Sequence, residues 1–201
     1  MRQIDSDIIL LEPGDHAVMP WKNGGGTTRE ILAHPAGSAA FDWRLSIADV
    51  ASDGDFSLFP DHARTIMLLE GRGMHLRFGA VSEARVTEPF QPLDFDGGAH
   101  THCRLVDGPV RDFNIMSARA RCRHEHAVIT HFPCTLEKRL HAASVVFCAR
   151  GRLTVRPGSG PEIPLQAEDT LVMDGEPQNL QIDAATGSRA LAVRFFPAGL
   201  G

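Results

Sequence analysis

The stretch PWKNGGGTTREI, residues 20–31, concentrates the side chains best suited to hold a small anion. It lacks the spacing of a dinucleotide-binding fingerprint, and its lysine precedes the glycines, whereas a Walker A loop ends in Gly-Lys-Ser/Thr. Two interpretations remain open. In the first, the glycines only form a turn between two strands, because Gly adopts positive φ without strain. In the second, the turn exposes backbone N–H groups beside Lys22, Asn23, Thr27 and Arg29, and this set holds a carboxylate.

The histidines offer two clusters in which alternate residues would share one face of a strand. His100 and His102 form the first, and Cys122, His124 and His126 form the second. A metal site needs three or four converging ligands, and each cluster brings two histidines, so we expect surface histidines and no bound metal or other cofactor. A catalytic nucleophile has no support either, because the chain has no Gly-x-Ser-x-Gly elbow and no cysteine-protease context.

The elements that would position these residues are short strands. Residues 41–50, FDWRLSIADV, alternate with Trp43, Leu45 and Ile47 on one face and Arg44, Ser46 and Ala48 on the other. Residues 110–116, VRDFNIM, place Asp112 and Asn114 on the same face. The segment ARTIMLLEGRGMHLRF, residues 63–78, is interpreted as a hairpin that turns at Gly-Arg-Gly.

The two halves of the chain repeat one pattern of strand, glycine turn and strand. Gly71 and Gly151 each precede an arginine, and PLDFDG (92–97) is followed at a similar offset by TLVMDG (170–175). Together these matches indicate an internal duplication of a β module of roughly 80 residues. The polar connection would fall near residues 117–135, and modules of this size fit small barrels or sandwiches.

Composition narrows the class of protein. The 201 residues are 43% hydrophobic and 22% charged, which is typical of a globular chain, and the net charge of −5 argues against nucleic acid as a partner. No apolar run approaches the roughly 20 residues of a membrane span, and the first fifteen residues do not read as a signal peptide. The four cysteines are widely spaced, which favours reduced thiols and a cytoplasmic location without a membrane partner.

Four blocks in order, PWKNGGGTTREI, WRLSIADV, GDFSLFPDHARTIMLLEG and HCRLVDGPVRDFNIMSAR, resemble the HutD/Ves family of bacterial proteins. The resemblance runs from about residue 18 to 119 and continues more loosely beyond. It implies an all-β bicupin, with two cupin-type β-barrels in one chain: residues 1–118 with the main pocket and residues 119–201. It also implies a role in histidine utilisation, in which a metabolite such as formylglutamate, formiminoglutamate or urocanate is bound and pathway flux is restrained.

The metal-binding motif of cupins, GX5HXHX3–4EX6G, is not preserved. With its last glycine on Gly71, Arg64 stands at the glutamate position, and Leu58 and Pro60 stand at the two histidine positions. An inward Arg64 would bind a carboxylate through two parallel hydrogen bonds, and a ligand or an acid such as Asp112 would partner its charge. The alternative is that Arg64 lies at the rim and pairs with a surface acid such as Asp61.

The resulting hypothesis places a ligand-binding pocket in the N-terminal half and assigns no catalytic or metal-ligating residue. Lys22, Asn23 and Thr27 would donate from the lip, Arg64 would bind the acid group, and Asn114 with Asp112 would read the other end of the ligand; Thr28 and Arg29 are alternates for the lip. An alternative is a metal-free hydrolase or isomerase in which Asp112 or His62 is the general base. A third is a module for protein partners, and a homodimer through an exposed sheet edge stays open.

Overall fold

The computed structural model describes residues 1–38, 40–80, 82–140, 143–175 and 178–199, and its fold is all-β, as predicted. One short 3-10 helix, Pro13–Asp15, interrupts the strands, and no helix in the described ranges has the length and apolarity to cross a bilayer. The strands are β1 Arg2–Asp5, β2 Ile8–Leu11, β3 Ala17–Pro20, β4 Gly26–His34, β5 Trp43–Val50, β6 Gly54–Asp55, β7 His62–Glu70, β8 Met74–Phe78, β9 Ser82–Val86, β10 Pro92–Asp96, β11 Thr101–Leu105, β12 Val110–Ala118, β13 Cys122–Ile129, β14 Cys134–Leu136, β15 Ala143–Arg150, β16 Arg152–Pro157, β17 Ile163–Gln166, β18 Thr170–Met173, β19 Leu180–Ala184 and β20 Arg189–Pro197.

The chain divides into two compact units. The first unit comprises residues 16–123, and the second comprises residues 1–15 together with 124–201. The sequence-based division at 118/119 differs from these units mainly at the N-terminus, since β2 pairs with β18 of the second unit. That pairing joins segments about 160 residues apart, and no local pattern in the sequence announces it.

In the 16–123 unit the strands form two antiparallel sheets, ordered β10-β7-β12-β5-β4-β3 and β6-β11-β8-β9. Apolar side chains from both sheets form one buried cluster that includes Ile66, Leu68, Met74, Leu76 and Cys103. Burial of this cluster is the main stabilising contribution to the unit. Residues 43–50 form a strand, as predicted, and its alternate residues lie on opposite faces of the sheet.

The other unit has the same strand connectivity. Its sheets are ordered β1-β2-β18-β15-β20-β13 and β14-β19-β16-β17. Strands β18-β15-β20-β13 follow the order of β10-β7-β12-β5, and the four strands of the second sheet follow the order of β6-β11-β8-β9. This correspondence agrees with the internal duplication that the spacing of Gly71 and Gly151 indicates.

The hairpin predicted for residues 63–78 is wrong. Strand β7 pairs with β10 and β12, whereas β8 pairs with β9 and β11, so the chain passes from one sheet to the other at the Gly-Arg-Gly turn. Gly71 and Gly73 have φ of 102° and 103°, which is the left-handed region that favours glycine. A Cβ on Gly71 would lie 2.7 Å from the Pro109 carbonyl oxygen, so the turn also needs glycine for space.

Candidate functional site

A cavity of about 490 Å³ opens on the inward face of the larger sheet of the 16–123 unit. Strands β4, β5, β7 and β12 supply its floor, and the segments 19–23 and 55–59 supply its walls. The lining residues are Met19, Pro20, Trp21, Lys22, Asn23, Thr28, Arg44, Ser46, Ala48, Asp55, Phe56, Ser57, Phe59, Arg64, Asp112, Asn114 and Met116. The volume is within the range of small-molecule sites, and the lining mixes aromatic side chains with a few polar groups.

Strand register explains why the polar side chains meet on this face. In the antiparallel pairs Asn114 stands opposite Ser46, and Met116 stands opposite both Arg44 and Arg64. Because side chains alternate across a strand, residues two apart on each strand all point to the cavity side. The expected sharing of one face by Asp112 and Asn114 is therefore realised, and both line the cavity.

Arg64 is a buried cation in this cavity. Arg64 is 7% exposed, and its Nη2 donates a hydrogen bond of 2.8 Å to Asn114 Oδ1. The guanidinium carbon lies 5.2 Å, 5.8 Å and 5.1 Å from the ring centres of Phe56, Phe59 and Phe95, within the range of cation–π attraction. Its Nε is buried and has no hydrogen-bond partner among the described residues.

Burial governs the charge of this arginine. It lowers the pKa of Arg64 to about 10, an effect that Asp112 opposes and Arg44 reinforces. The group stays charged at neutral pH. Arg64 is therefore an inward cation, as one of the two sequence-based alternatives has it, and it does not lie at the rim.

Asp112 is the buried acid whose charge opposes that of Arg64, and the side chain of Asn114 forms hydrogen bonds with both. The side-chain amide of Asn114 accepts from Arg64 and donates a hydrogen bond from Nδ2 to Asp112 Oδ1. Asp112 Oδ2 is buried without a hydrogen-bond partner in the described part of the chain. Burial raises the pKa of Asp112 to about 7; Arg64 and the Asn114 hydrogen bond lower it, and Asp49 raises it further.

The glycine-rich stretch is a hairpin loop between β3 and β4. Trp21 N–H donates to the Gly26 carbonyl at 2.9 Å, and Gly24 N–H donates to the Trp21 carbonyl at 3.0 Å. Gly24 has a positive φ of 72°, and a Cβ on Gly26 would lie 2.5 Å from the Asp49 carbonyl oxygen and 3.1 Å from the Trp21 ring. The loop is therefore a turn, as the first interpretation has it, and its residues Trp21, Lys22 and Asn23 form one wall of the cavity. That this wall holds a carboxylate stays a prediction.

The loop brings an aromatic wall to the cavity. Trp21 Nε1 donates to Thr28 Oγ1 at 2.8 Å, and the Trp21 ring meets the Phe56 ring edge-on with centres 6.2 Å apart. These contacts fix the indole plane. Asn23 uses its Oδ1 to accept from Gly25 N–H at 3.0 Å, which shapes the lip beside Lys22.

Six of the eight predicted site residues line the cavity: Lys22, Asn23, Thr28, Arg64, Asp112 and Asn114. Strand alternation places Thr27 and Arg29 on the opposite face of β4, where Arg29 donates to Asp49 at 3.1 Å. Asp49 also accepts from Arg111 at 2.8 Å, so this outer set is a network of ion pairs. Glu30 pairs with Arg44 at 2.8 Å.

Sequence reasoning did not assign several lining residues. Arg44 and Ser46 carried a usable signal, because the alternation of β5 already placed them together on one face. Phe56 and Phe59 carried none, since they lie in the segment between β6 and β7 and have no periodic pattern. Among the described lining residues, the carboxylates that could bind a metal ion are those of Asp55 and Asp112. A bound cation usually needs more than two such ligands. The absence of a metal stays a prediction.

The general base named as an alternative to Asp112 lies elsewhere. His62 Nδ1 is 2.7 Å from the Pro60 carbonyl oxygen, so this nitrogen carries the proton and donates. Its ring packs 4.8 Å from the ring centre of Phe41 and 6.2 Å from that of Phe59. His62 does not belong to the cavity lining.

Comparison with known proteins gives one family. The HutD family model matches residues 14–192. The chain is 42% identical to an uncharacterised 21.2 kDa protein from the hutC 3' region of Pseudomonas putida, over 119 residues that span 59% of this chain and 62% of that protein. It is 41% identical to Protein Ves of Citrobacter koseri over 51% of this chain and 54% of that protein. These matches thus span less than two thirds of both relatives. The structure of HutD from Pseudomonas fluorescens SBW25, determined in a formate condition, superimposes with a TM-score of 0.82 at 30% identity and covers 96% of this chain and 100% of that one.

Proposed function

Because the chain belongs to the HutD family, we propose that it binds a small carboxylate metabolite of histidine utilisation in the cavity of the 16–123 unit and thereby modulates pathway flux. Formylglutamate, formiminoglutamate and urocanate are the candidate ligands. The location of a relative's gene in a hutC region supports the pathway. The matching strand orders of the two units support one cupin-type module in each, and the four free cysteines support a reducing, cytoplasmic location.

The observation that carries the proposal is the state of Arg64. A buried guanidinium costs free energy unless hydrogen bonds and opposite charge compensate it. Here Asn114 satisfies one nitrogen, and the Nε remains without a partner among the described residues. A ligand carboxylate that entered the cavity and displaced the surrounding contacts slightly would supply charge-assisted hydrogen bonds to this group.

The rest of the cavity suits the body of such a ligand. Trp21, Phe56 and Met116 offer apolar surface, while Ser46, Thr28 and Asn114 offer hydrogen-bonding groups. Lys22 stands at the solvent-exposed lip, where a second carboxylate of the ligand would find a cation. This arrangement favours a short acid with polar groups at both ends over a large hydrophobic molecule.

A second function, hydrolysis or isomerisation of a formyl or formimino amino acid, is favoured by one observation. Burial raises the pKa of Asp112 to about 7, which is where a general base works best near neutral pH. Incubating the protein with formylglutamate or formiminoglutamate and following the mixture by NMR separates the two functions. Turnover that Asp112→Asn abolishes would replace binding by catalysis.

Isothermal titration of formylglutamate, formiminoglutamate, urocanate and histidine into the purified protein tests the proposal. We expect saturable binding of one carboxylate, and we expect Arg64→Gln to weaken it at least about 30-fold, because a charge-assisted pair is lost. Arg29→Gln is the matched control, since this arginine lies on the opposite face of the same sheet. Equal affinity in the wild type and a folded Arg64→Gln variant, or no binding of any of the four, would overturn the proposal.

A further inference from the structure

The bridge between Arg64 and Asp112 fixes where a proton can reside. The guanidinium of Arg64 is a donor only, so the Asn114 atom it contacts must be the oxygen. The amide nitrogen of Asn114 then points to Asp112 Oδ1, which must accept. The unoccupied position for a proton on Asp112 is therefore Oδ2, and that oxygen is buried without a partner among the described residues.

The charges around Asp112 balance without a ligand. On the same inward face, β7 contributes Arg64 and β5 contributes Arg44, but Arg44 is already paired with Glu30 at 2.8 Å. The remaining ionisable groups that act on Asp112 or feel its charge are Asp49 on the outer face of β5 and the buried thiol of Cys103 on β11. Arg64 and an ionised Asp112 thus form a neutral set.

A bound carboxylate would upset this balance. Two carboxylates beside one guanidinium leave one negative charge in excess. When two carboxylates share a partly buried site, their repulsion and desolvation raise the free energy of the doubly ionised state, so one of them tends to bind a proton. Lys22 cannot compensate from inside, because it stands at the exposed mouth. Asp55, also at the mouth, is itself an acid and accepts from His102 at 2.7 Å. Uptake of one proton by the protein restores neutrality.

We propose that the cavity takes up its carboxylate ligand together with one proton, which Asp112 carries on Oδ2 and donates in a hydrogen bond to a ligand oxygen. Asp112 is then the residue that selects ligands with an acceptor oxygen next to the carboxylate bound by Arg64. The proton comes from solvent, and no covalent bond of the ligand forms or breaks. The inference rests on the proposed function, since it requires an anion at Arg64.

Calorimetric titration with N-formylglutamate at pH 6, 7, 8 and 9, in two buffers of different ionisation enthalpy, counts the protons. Both carboxyl groups of this probe are ionised throughout the range, so an uptake of protons belongs to the protein. We expect uptake near zero at pH 6 that approaches one proton at pH 8–9, with Kd rising by up to about tenfold per pH step above the Asp112 pKa of about 7. Formate, as a second probe, lacks the body of the ligand and tests the acid subsite alone.

Asp112→Asn is the decisive variant, because the amide reproduces the protonated acid: its oxygen accepts from Asn114, and its nitrogen donates where Oδ2 stood. We expect it to bind N-formylglutamate with a Kd independent of pH between 6 and 9. Asp107→Asn changes an acid that is 75% exposed and does not line the cavity, so this variant should retain the pH dependence of the wild type. Saturable binding with neither proton uptake nor pH dependence in the wild type would overturn this inference while leaving the proposed function intact. Lack of saturable binding of N-formylglutamate, formiminoglutamate and urocanate at every pH would overturn both.

Discussion

The ionisation of Asp112 has a consequence for folding that does not require a ligand. In the folded protein, burial raises its pKa from the ordinary 3.8 to about 7. Between about pH 4 and pH 7, an unfolded chain has released this proton while the folded chain retains it. The folded state binds more protons, so the wild type loses stability as the pH rises through this window, and the loss stops above about pH 7.

The size of the effect follows from the two pKa values. The shift corresponds to about 4 kcal/mol in total, of which about 3 kcal/mol falls between pH 5 and pH 8. Asp112→Asn removes the ionisable group. Its free energy of unfolding minus that of the wild type should therefore grow by up to about 3 kcal/mol over this range. Replacing the neutral acid by an amide adds an offset to this difference that does not vary with pH, and the attraction between Arg64 and the ionised Asp112 is already contained in the folded-state pKa of Asp112.

Urea unfolding followed by tryptophan fluorescence measures the right part of the molecule, since Trp21 and Trp43 both lie in the 16–123 unit. Unfolding curves of Asp112→Asn and of the wild type at pH 5, 6, 7 and 8 give the difference between their free energies of unfolding at each pH. Asp107→Asn is the control, because this side chain is 75% exposed and its replacement should give a flat difference. A flat difference for Asp112→Asn as well would refute the assignment of Asp112 as a buried acid that holds its proton near neutrality.

Two further predictions concern the loop and the thiols. Gly26→Ala should lower the free energy of unfolding by about 1–3 kcal/mol in the same urea assay, because the new Cβ would lie 2.5 Å from the Asp49 carbonyl oxygen. Gly24→Ala is the control, since its Cβ would meet open space and only the positive φ would be strained. A loss of stability in Gly26→Ala no larger than that in Gly24→Ala would contradict the steric explanation. Cys103 and Cys148 should resist a thiol reagent at pH 8 until the protein unfolds, because both are buried and burial raises the pKa of each to about 12. The partly exposed Cys134 should react first, and its fast phase should vanish in Cys134→Ser; rapid labelling of Cys103 in the folded protein would count against the buried core.

Local patterns in the sequence were enough to predict the faces of the strands that build the site. Alternation in β12 put Asp112 and Asn114 together, and alternation in β5 did the same for Arg44 and Ser46. Alternation could not say which of residues 27–30 face inward, because the phase of a strand depends on its partners. In the structure that phase is set by the hairpin with β3 and by an irregularity in the pairing of β4 with β5 after Glu30.

Features that depend on distant segments could not be predicted. The aromatic surroundings of Arg64 come from Phe56 and Phe59, which follow β6, and from Phe95 on β10. None of these rings has a spacing that points to an arginine. The crossing from β7 to β8 has the same local pattern as a hairpin, and only the pairing partners of the two strands reveal that it joins two sheets.

The most direct test of the central claim observes the Arg64 side chain itself. In protein labelled with ¹⁵N-arginine, the Nε–H resonance of this buried group should exchange slowly with solvent, and its absence from the spectrum of Arg64→Lys assigns it. On titration with N-formylglutamate, formiminoglutamate and urocanate in turn, we predict that this resonance moves to saturation with one of them, at the dissociation constant found by calorimetry. A ligand that saturates other resonances while the Arg64 signal stays in place would contradict the account, as would a signal that none of the three acids moves.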